Sequence, residues 1–279
     1  MGRIITNQHG HKLHTGGRKR PVVTPASHPH LFRSVKKYLT GTVPDAPDYD
    51  YFAAASTAEH DILANDQLGD CTAAGACHLA EVFSANAGTP AVLTRDDAIK
   101  FYSLSTGYDP NDPSTDQGGD EVQVCNTWRD KGLDGNGAHA IKGYLVVDAT
   151  DPVMMKYTGW LFEGHYYGLE LDSSWPQSVS GDGFIWDTGT PNPNEGHCIV
   201  SASAKGLRAA LLMGVNSWGY LGWLTQSAQA NFLTPQAGGN AFVIVTDEIV
   251  ARATQKAPNG LDWMTLMADV QSLGGFASS

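Results

Sequence analysis

Apolar residues cover almost every face of residues 71–88, an alanine-rich stretch that ends at Gly88. Apolar positions on all sides predict a helix buried in the middle of a domain. Weaker helical periodicity follows over residues 95–104, 121–131 and 151–163. The first part of the chain is therefore expected to be mainly helical.

The pattern changes after residue 165 to short apolar and β-branched segments, which Gly, Pro, Asn and Ser clusters separate. These segments predict strands at residues 166–171, 197–204, 209–215 and 241–246. Helices followed by strands are typical of an α+β fold.

An amphipathic helix is predicted over residues 260–273, because one helical face collects apolar residues. These are Trp263, Leu266, Met267, Val270 and Leu273. Such a face needs a groove on its own chain or on a neighbour, so contacts within a homo- or hetero-oligomer are one alternative. The predicted organisation is a basic arm, a two-lobed domain and a C-terminal extension. The basic arm covers residues 1–44 and the C-terminal extension covers residues 248–279. The domain between them covers residues 45–247, with its helical lobe at 45–165 and its β lobe at 166–247.

The chain has 279 residues, 42% of them hydrophobic, which is enough for a sizeable core. No run of about 18 uncharged apolar residues predicts a membrane span, and no signal peptide is recognisable. Four cysteines without a CxxC pair argue against a disulfide scaffold and for a reducing compartment. We therefore expect an intracellular (cytoplasmic) location or a place within a virus particle.

The net charge of −11 is distributed unevenly. Residues 1–40 hold eight of the 18 lysines and arginines, and the first acidic residue is Asp45. A basic arm of this kind is expected to attach to nucleic acid, to an acidic partner or to the acidic surface of its own domain. A solvated tail is the alternative.

No metal or cofactor is expected. His9, His11 and His14 lie in a Gly-flanked arm without the fixed surroundings of a metal site. The acidic residues 109–121 indicate a surface loop, because Pro113 stands where a calcium ligand would be needed. The adjacent His197 and Cys198 are poorly spaced to bind one zinc ion.

Cys71 opens the predicted buried helix, directly after Asp70. A helix N-terminus favours the thiolate form of cysteine, although a buried structural cysteine is the commoner situation. His197 lies 126 residues after Cys71, at the start of a predicted strand. Asn216 lies 145 residues after Cys71 and begins the motif Asn-Ser-Trp-Gly. A nucleophile, a base and an orienting amide in this order suit thiol catalysis.

These residues resemble the papain-like cysteine peptidases over about residues 45–246. The resemblance implies a helical lobe that carries the nucleophile Cys71, packed against an antiparallel β lobe, and a peptide or protein substrate bound in the cleft between them. It also implies that His197 is the general base and then the general acid, that Asn216 orients its imidazole, and that Trp218 shields their contact. Gly118 and Gly119 resemble the double glycine of that family's substrate cleft.

The sequence departs from the family pattern around the nucleophile. Asn65, instead of Gln, lies six residues before the cysteine, and the nearby glutamine is Gln67, so either amide could complete the oxyanion hole beside the Cys71 backbone N–H. Thr72 replaces the usual Trp, and Asp70 opposes a thiolate unless it caps the helix. The family's inhibitory pro-segment is not recognisable in residues 1–44.

Two functions from different classes are therefore expected as alternatives. The first is a thiol hydrolase that cleaves peptide bonds through Cys71, His197 and Asn216. Cell-wall peptidases and transglutaminases share the Cys-then-His order, but the Asn-Ser-Trp-Gly motif argues against both. The second is a weakly active or inactive assembly protein with the same fold, for example a virion component, attached through its arm and C-terminal helix.

Overall fold

A computed structural model describes residues 2–22, 33–55 and 58–272. The helices, in chain order, are α1 (Phe52–Ala55), α2 (Cys71–Asn86), α3 (Arg95–Thr106), α4 (Glu121–Lys131), α5 (Pro152–Phe162), α6 (Trp175–Ser178), α7 (Gln226–Phe232), α8 (Asp247–Lys256) and α9 (Trp263–Ser272). The strands are β1 (Arg3–Thr6), β2 (Lys12–Thr15), β3 (Tyr49–Asp50), β4 (Gly143–Val146), β5 (His165–Glu170), β6 (Phe184–Trp186), β7 (Gly196–Lys205), β8 (Leu212–Ser217), β9 (Tyr220–Thr225) and β10 (Asn240–Val245).

Helix α2 forms the centre of the helical lobe, as its apolar pattern predicts. Every residue from Cys71 to Phe83 is buried. The helix packs on β7, and a Cβ atom at Gly75 would lie 3.3 Å from the sulfur of Cys198. The prediction of a helix over residues 121–131 is confirmed by α4.

The β lobe is one sheet with the strand order β4-β10-β5-β7-β8-β9-β6, and β3 also pairs with β7. Its neighbouring strands are antiparallel, except that β6 and β9 are parallel. All residues of β5 and β10 are buried. Helix α2 packs on one face of the sheet, where the Tyr166 hydroxyl donates to the Thr72 carbonyl, and α5 packs on the other, where Thr158 is hydrogen-bonded to His165. Helices combined with this largely antiparallel sheet confirm the predicted α+β fold.

Several elements differ from the sequence predictions. The strand predicted at residues 209–215 starts only at Leu212, because a 3-10 turn occupies Arg208–Ala210. Strands β4, β6 and β9 and helix α8 were not predicted, since each is short or mixes polar and apolar residues.

The basic arm forms an antiparallel hairpin of β1 and β2, a structure that the sequence did not predict. Asn7 fixes the turn, because its side-chain oxygen accepts hydrogen bonds from the backbone N–H groups of His9 and His11, both at 3.0 Å. Its amide nitrogen donates to the Val179 carbonyl at 2.7 Å and so anchors the hairpin on the β lobe.

The described part of the arm pairs with acidic residues of the chain's own domain. The pairs with the domain are Arg3–Glu195, Arg18–Glu121, Arg20–Glu170 and Lys36–Asp148, and Arg33 and Lys37 both pair with Asp269 of the C-terminal extension. The arm was expected to attach to nucleic acid, to an acidic partner or to the acidic surface of its own domain. In the described residues it docks on its own domain. Attachment of residues 1–40 to nucleic acid or to another acidic partner stays a prediction.

Helix α9 places its apolar face on its own chain. Leu266 and Val270 are buried, the Trp263 ring lies 6.1 Å from that of Phe162, and Asp269 accepts a hydrogen bond from the Tyr38 hydroxyl at 2.9 Å. Leu273, predicted on the same face, lies outside the described residues. Oligomer contacts through this helix stay a prediction. None of the described helices has the length and apolar content needed to cross a bilayer.

Candidate active site

Cys71 lies at the N-terminus of α2 and is 2% exposed. Its surroundings include Asn216 and Trp218, which line the same cavity of about 10 Å³, room for one water molecule at most. Burial raises the pKa of the thiol far above its usual range, although the Cys198 backbone N–H and the Arg18 charge oppose this shift. In this form Cys71 is a protonated thiol that a substrate cannot reach.

His197, on β7, contacts residues of the Asn-Ser-Trp-Gly motif. Its Nε2 shares a hydrogen bond of 2.9 Å with the Ser217 hydroxyl, and its ring stacks on Trp218 at 4.1 Å. Burial, with a smaller effect of His14, lowers the pKa of His197 to about 3, and its Nδ1 has no hydrogen-bond partner. The imidazole is therefore neutral and forms no hydrogen bond with the Cys71 thiol.

Asn216 does not orient His197 in this structure. Its Nδ2 donates to the Glu59 backbone carbonyl and to Glu59 Oε2, both at 2.7 Å, and its Oδ1 accepts from the Gly219 N–H at 3.1 Å. Successive side chains of a strand point to opposite faces, so only one of Asn216 and Ser217 can face His197. Here that residue is Ser217, which the sequence reasoning missed although strand alternation allows for it.

Trp218 stacks on the His197 ring, but the Asn216–His197 contact that it was expected to shield is not formed in this structure. Its backbone has φ +54°, a left-handed conformation uncommon for a bulky residue. The indole Nε1 donates to the His14 carbonyl at 3.0 Å. The indole therefore contacts both the β lobe and the arm.

Neither amide predicted for the oxyanion hole is free to serve in this structure. The Asn65 Nδ2 donates to Asp70 Oδ1 at 3.1 Å and to the Leu68 carbonyl at 3.2 Å. Gln67 is exposed and its amide donates to Asp66. The Asp70 side chain forms no capping bond, and burial raises its pKa well above the usual range, which favours a neutral carboxyl. The Cys71 backbone N–H, in the first turn of α2, is the remaining donor.

The arm crosses the cleft between the lobes as an extended backbone. The Gly119 N–H donates to the Gly17 carbonyl at 3.0 Å, and the Lys19 N–H donates to the Gly119 carbonyl at 2.7 Å. On the other side, the Arg18 N–H donates to the Gly196 carbonyl at 3.2 Å. The arm is thus hydrogen-bonded to both lobes at once.

Glycines make this close approach possible. A Cβ atom at Gly118 would clash with the Gly17 carbonyl, and one at Gly196 would clash with the Arg18 carbonyl. Gly118 and Gly119, predicted to line the substrate cleft, thus lie against a peptide backbone, which here belongs to the chain itself. The sequence reasoning did not identify Gly17 or Gly196 as parts of this cleft.

The deepest anchor of the arm is an ion pair between Arg18 and Glu121, whose side chains are both fully buried. Arg18 Nη1 also donates to the Gly238 carbonyl at 2.8 Å. Burial raises the pKa of Glu121, and the Arg18 charge opposes that shift. The pair fixes the register of the arm above the N-terminus of α2.

No protein-family model matches the chain, and no curated protein matches its sequence significantly. Solved structures do match. Xylellain, a cysteine protease from Xylella fastidiosa, aligns with a TM-score of 0.54 and 13% identity over 83% of this chain and 96% of that chain. Two digestive enzymes from the larval midgut of Tenebrio molitor align similarly. Procathepsin L2 aligns with a TM-score of 0.57 and 13% identity over 83% of this chain and 78% of that chain. Procathepsin L 3 aligns with a TM-score of 0.56 and 14% identity over 77% of this chain and 74% of that chain. With its helical lobe, its sheet and these neighbours, the chain is a divergent example of the papain-like cysteine protease fold.

Proposed function

We propose that this chain is a papain-like thiol hydrolase that cleaves peptide bonds, and that the described structure is its closed form. One observation carries the proposal: the extended arm pairs with Gly119 on the helical lobe and with Gly196 on the β lobe, above the helix that begins at Cys71. A groove that hydrogen-bonds an extended backbone on both sides suits a peptide substrate.

The chemistry requires the arm to leave the cleft. His197 Nδ1 then accepts the Cys71 proton, and the thiolate forms a C–S bond with the substrate carbonyl carbon, whose oxygen gains the electron pair and accepts a hydrogen bond from the Cys71 N–H. His197 returns its proton to the leaving amine as the C–N bond breaks. A water molecule then loses a proton to His197 and forms a C–O bond with the acyl carbon. The C–S bond breaks, the carboxylic acid product leaves, and His197 returns its proton to the Cys71 sulfur.

Ser217 and Asn216 have separate roles in this proposal. Ser217 orients the imidazole through Nε2 in the closed form. Asn216 lies on the opposite face of β8 and donates two hydrogen bonds to Glu59, so it completes a Cys-His-Asn triad only after these bonds break and the end of β8 rearranges to turn its side chain towards His197. Trp218 shields the imidazole in both arrangements.

The direct test is hydrolysis of a mixed peptide library by the protein without residues 2–20, followed by mass spectrometry. We expect defined cleavage products. The same truncated protein with Cys71→Ser should produce none, and products that persist in this control would identify a contaminating or unrelated activity.

In the truncated protein, His197→Ala is expected to slow alkylation of Cys71 at pH 7 by about tenfold, because the thiol loses its proton acceptor. Asn216→Ala and Ser217→Ala should have smaller effects, since these residues only orient the ring. Iodoacetamide labelling with peptide mapping measures all three rates. Equal rates in the parent and in His197→Ala would show that no working Cys-His pair exists.

Mild acid is expected to open the cleft. The pKa of His197 is about 3 in the closed form, against 6.5 for a free histidine, and burial also lowers the pKa of His14. The open form therefore binds more protons below pH 6.5, so the closed form loses stability as pH falls from about 6.5 towards 3. At pH 5 the open population should rise by about 30-fold relative to pH 8 through His197 alone.

Hydrogen exchange of the amides in residues 13–19, corrected for intrinsic rates, measures this opening. His197→Gln, which stays neutral, is the matched control and should remove most of the pH dependence. A pH dependence that is unchanged in this variant would assign the opening to other groups.

The second candidate, an assembly protein without activity, is favoured by specific observations. Cys71 is buried, it forms no hydrogen bond with His197, and the amides of Asn65 and Gln67 are directed elsewhere. A truncated protein that cleaves no peptide, and whose Cys71 reacts no faster than an ordinary thiol, would support this alternative.

A further inference from the structure

A second group of buried polar residues lies behind the cleft. Glu59 belongs to the 3-10 turn Ala58–His60, and His78 and Glu81 lie one turn apart on one face of α2. Glu59 and Glu81 are fully buried and His78 is 5% exposed. Buried ionisable groups need partners, because the loss of hydration is costly.

Each carboxylate has one oxygen with a hydrogen-bond donor and one without. Glu59 Oε2 accepts from the Asn216 amide and Glu81 Oε1 accepts from the Leu93 N–H, both at 2.7 Å. Glu59 Oε1, Glu81 Oε2 and His78 Nδ1 have no hydrogen-bond partner. His78 Nδ1 and Glu81 Oε2 thus face each other without hydrogen bonds, and each carboxylate keeps one oxygen without a donor.

The spacing of these atoms is longer than that of hydrogen bonds. His78 Nδ1 lies 3.4 Å from Glu81 Oε2 and 3.6 Å from Glu59 Oε2, and ligand atoms from all three residues lie within 4.8 Å of one another. Zinc bonds to nitrogen and oxygen of about 2.0–2.2 Å place tetrahedral ligands about 3.3–3.6 Å apart. The separations of His78 Nδ1 from the two carboxylates match the edges of such a tetrahedron.

The charges also favour a cation. Two buried carboxylates face one imidazole, and among the described ion pairs neither Glu59 nor Glu81 has a lysine or arginine partner. A divalent ion would neutralise both carboxylates. Calcium is a poor fit because it takes six to eight oxygen ligands, whereas one imidazole with two carboxylates suits first-row transition metals such as zinc.

We propose that Glu59, His78 and Glu81 bind one divalent transition-metal ion. The ion would connect the 58–60 turn to α2, because its ligands come from both elements. It would also stabilise the end of β8, because the Asn216 amide donates to Glu59. Its role is structural: it fixes the wall of the cavity that contains Cys71. The proposal rests on this cluster and does not depend on peptidase activity.

The test uses the full chain, treated with a chelator and then titrated with Zn²⁺. We expect one ion per chain by calorimetry and by elemental analysis. His78→Asn and Glu81→Gln should each weaken binding by about 100-fold or more, because each removes one of three ligands. Gln at position 81 can still accept the Leu93 hydrogen bond, so this variant should keep the fold, which circular dichroism checks.

The matched control is the double variant His9→Asn/His11→Asn, which removes arm histidines and should leave the affinity unchanged. Binding lost in this control but retained in Glu81→Gln would assign the ion to the arm and overturn the proposal. Absence of a stoichiometric ion in the wild-type chain would overturn it too, leaving the cluster as a charge network without metal.

Cobalt gives a second readout that does not depend on the variants folding. Co²⁺ bound by His and carboxylates should show the visible bands of tetrahedral coordination, without the near-ultraviolet charge-transfer band of a thiolate ligand. A thiolate band would place the ion on a cysteine, such as nearby Cys71, and would contradict the assigned ligand set.

Discussion

Removal of residues 2–20 is expected to raise the rate of Cys71 alkylation by about 100-fold. In the closed form the thiol lines a cavity of about 10 Å³, and two residues of its wall, Asn65 and Trp218, are hydrogen-bonded to His14 of the arm. A reagent therefore reacts only after local opening. A 100-fold ratio corresponds to an opening free energy of about 2.7 kcal/mol. Brief iodoacetamide treatment near neutral pH, with peptide mapping by mass spectrometry, compares the two proteins.

A shorter deletion, residues 2–11, is the matched control. It removes β1 and the hairpin turn but keeps Gly17, Arg18 and Lys19, which pair with the cleft. In this variant the alkylation rate of Cys71 should lie much nearer to the rate in the full chain. Cys77, fully buried in α2, is the internal reference. If its labelling rises together with that of Cys71, the deletion unfolds the domain and the closed-cleft interpretation is wrong.

Arg18→Ala is expected to lower the free energy of unfolding by about 3 kcal/mol, because it leaves the buried Glu121 carboxylate without its partner. This is the lower end of the usual cost, since release of the arm would let water reach Glu121. The variant should therefore also label at Cys71 almost as fast as the truncated protein. Urea unfolding and the alkylation assay measure the two effects.

Lys36→Ala is the matched exposed control. Lys36 also forms an ion pair, with Asp148, but the two side chains are 48% and 37% exposed, so its loss should cost less than about 1 kcal/mol. Equal destabilisation by the two variants would contradict the role of burial. The double variant Arg18→Met/Glu121→Leu should recover much of the stability, because apolar residues can replace a buried ion pair.

The elements that the sequence predicted best are those with a strong local pattern. The apolar pattern of residues 71–88 predicts the start of α2 correctly and its end two residues beyond the observed Asn86. The predicted bounds of α4, residues 121–131, are the observed ones. The hairpin β1–β2 was missed because its stability depends on distant contacts, such as that of Asn7 with Val179. Positive charge indicated that the arm would dock, but charge alone does not specify a groove between two lobes.

The site shows a second limit of sequence reasoning. The motif located His197 and Trp218 together, but it does not specify which side chain of β8 faces the histidine. That choice depends on strand register, and β7 and β8 contain an irregularity between Ser201 and Ser203. A shift of one residue exchanges the two faces. In the observed register Val200 pairs with Asn216, and Asn216 contacts Glu59 while Ser217 contacts His197.

The contact between residues 33–39 and α9 has a kinetic consequence for the arm. The side chains of Lys37 and Tyr38 both donate hydrogen bonds to the Asp269 carboxylate, and Leu39 forms an antiparallel β-bridge with Leu261. An arm released from the cleft at Lys19 therefore stays tethered within 18 residues of its anchor at Lys37. Flexible tethers of this kind give effective concentrations on the order of millimolar, so under the proposed function an intact arm competes with peptide substrates. Lasting opening then requires cleavage of the chain between the cleft segment and this anchor.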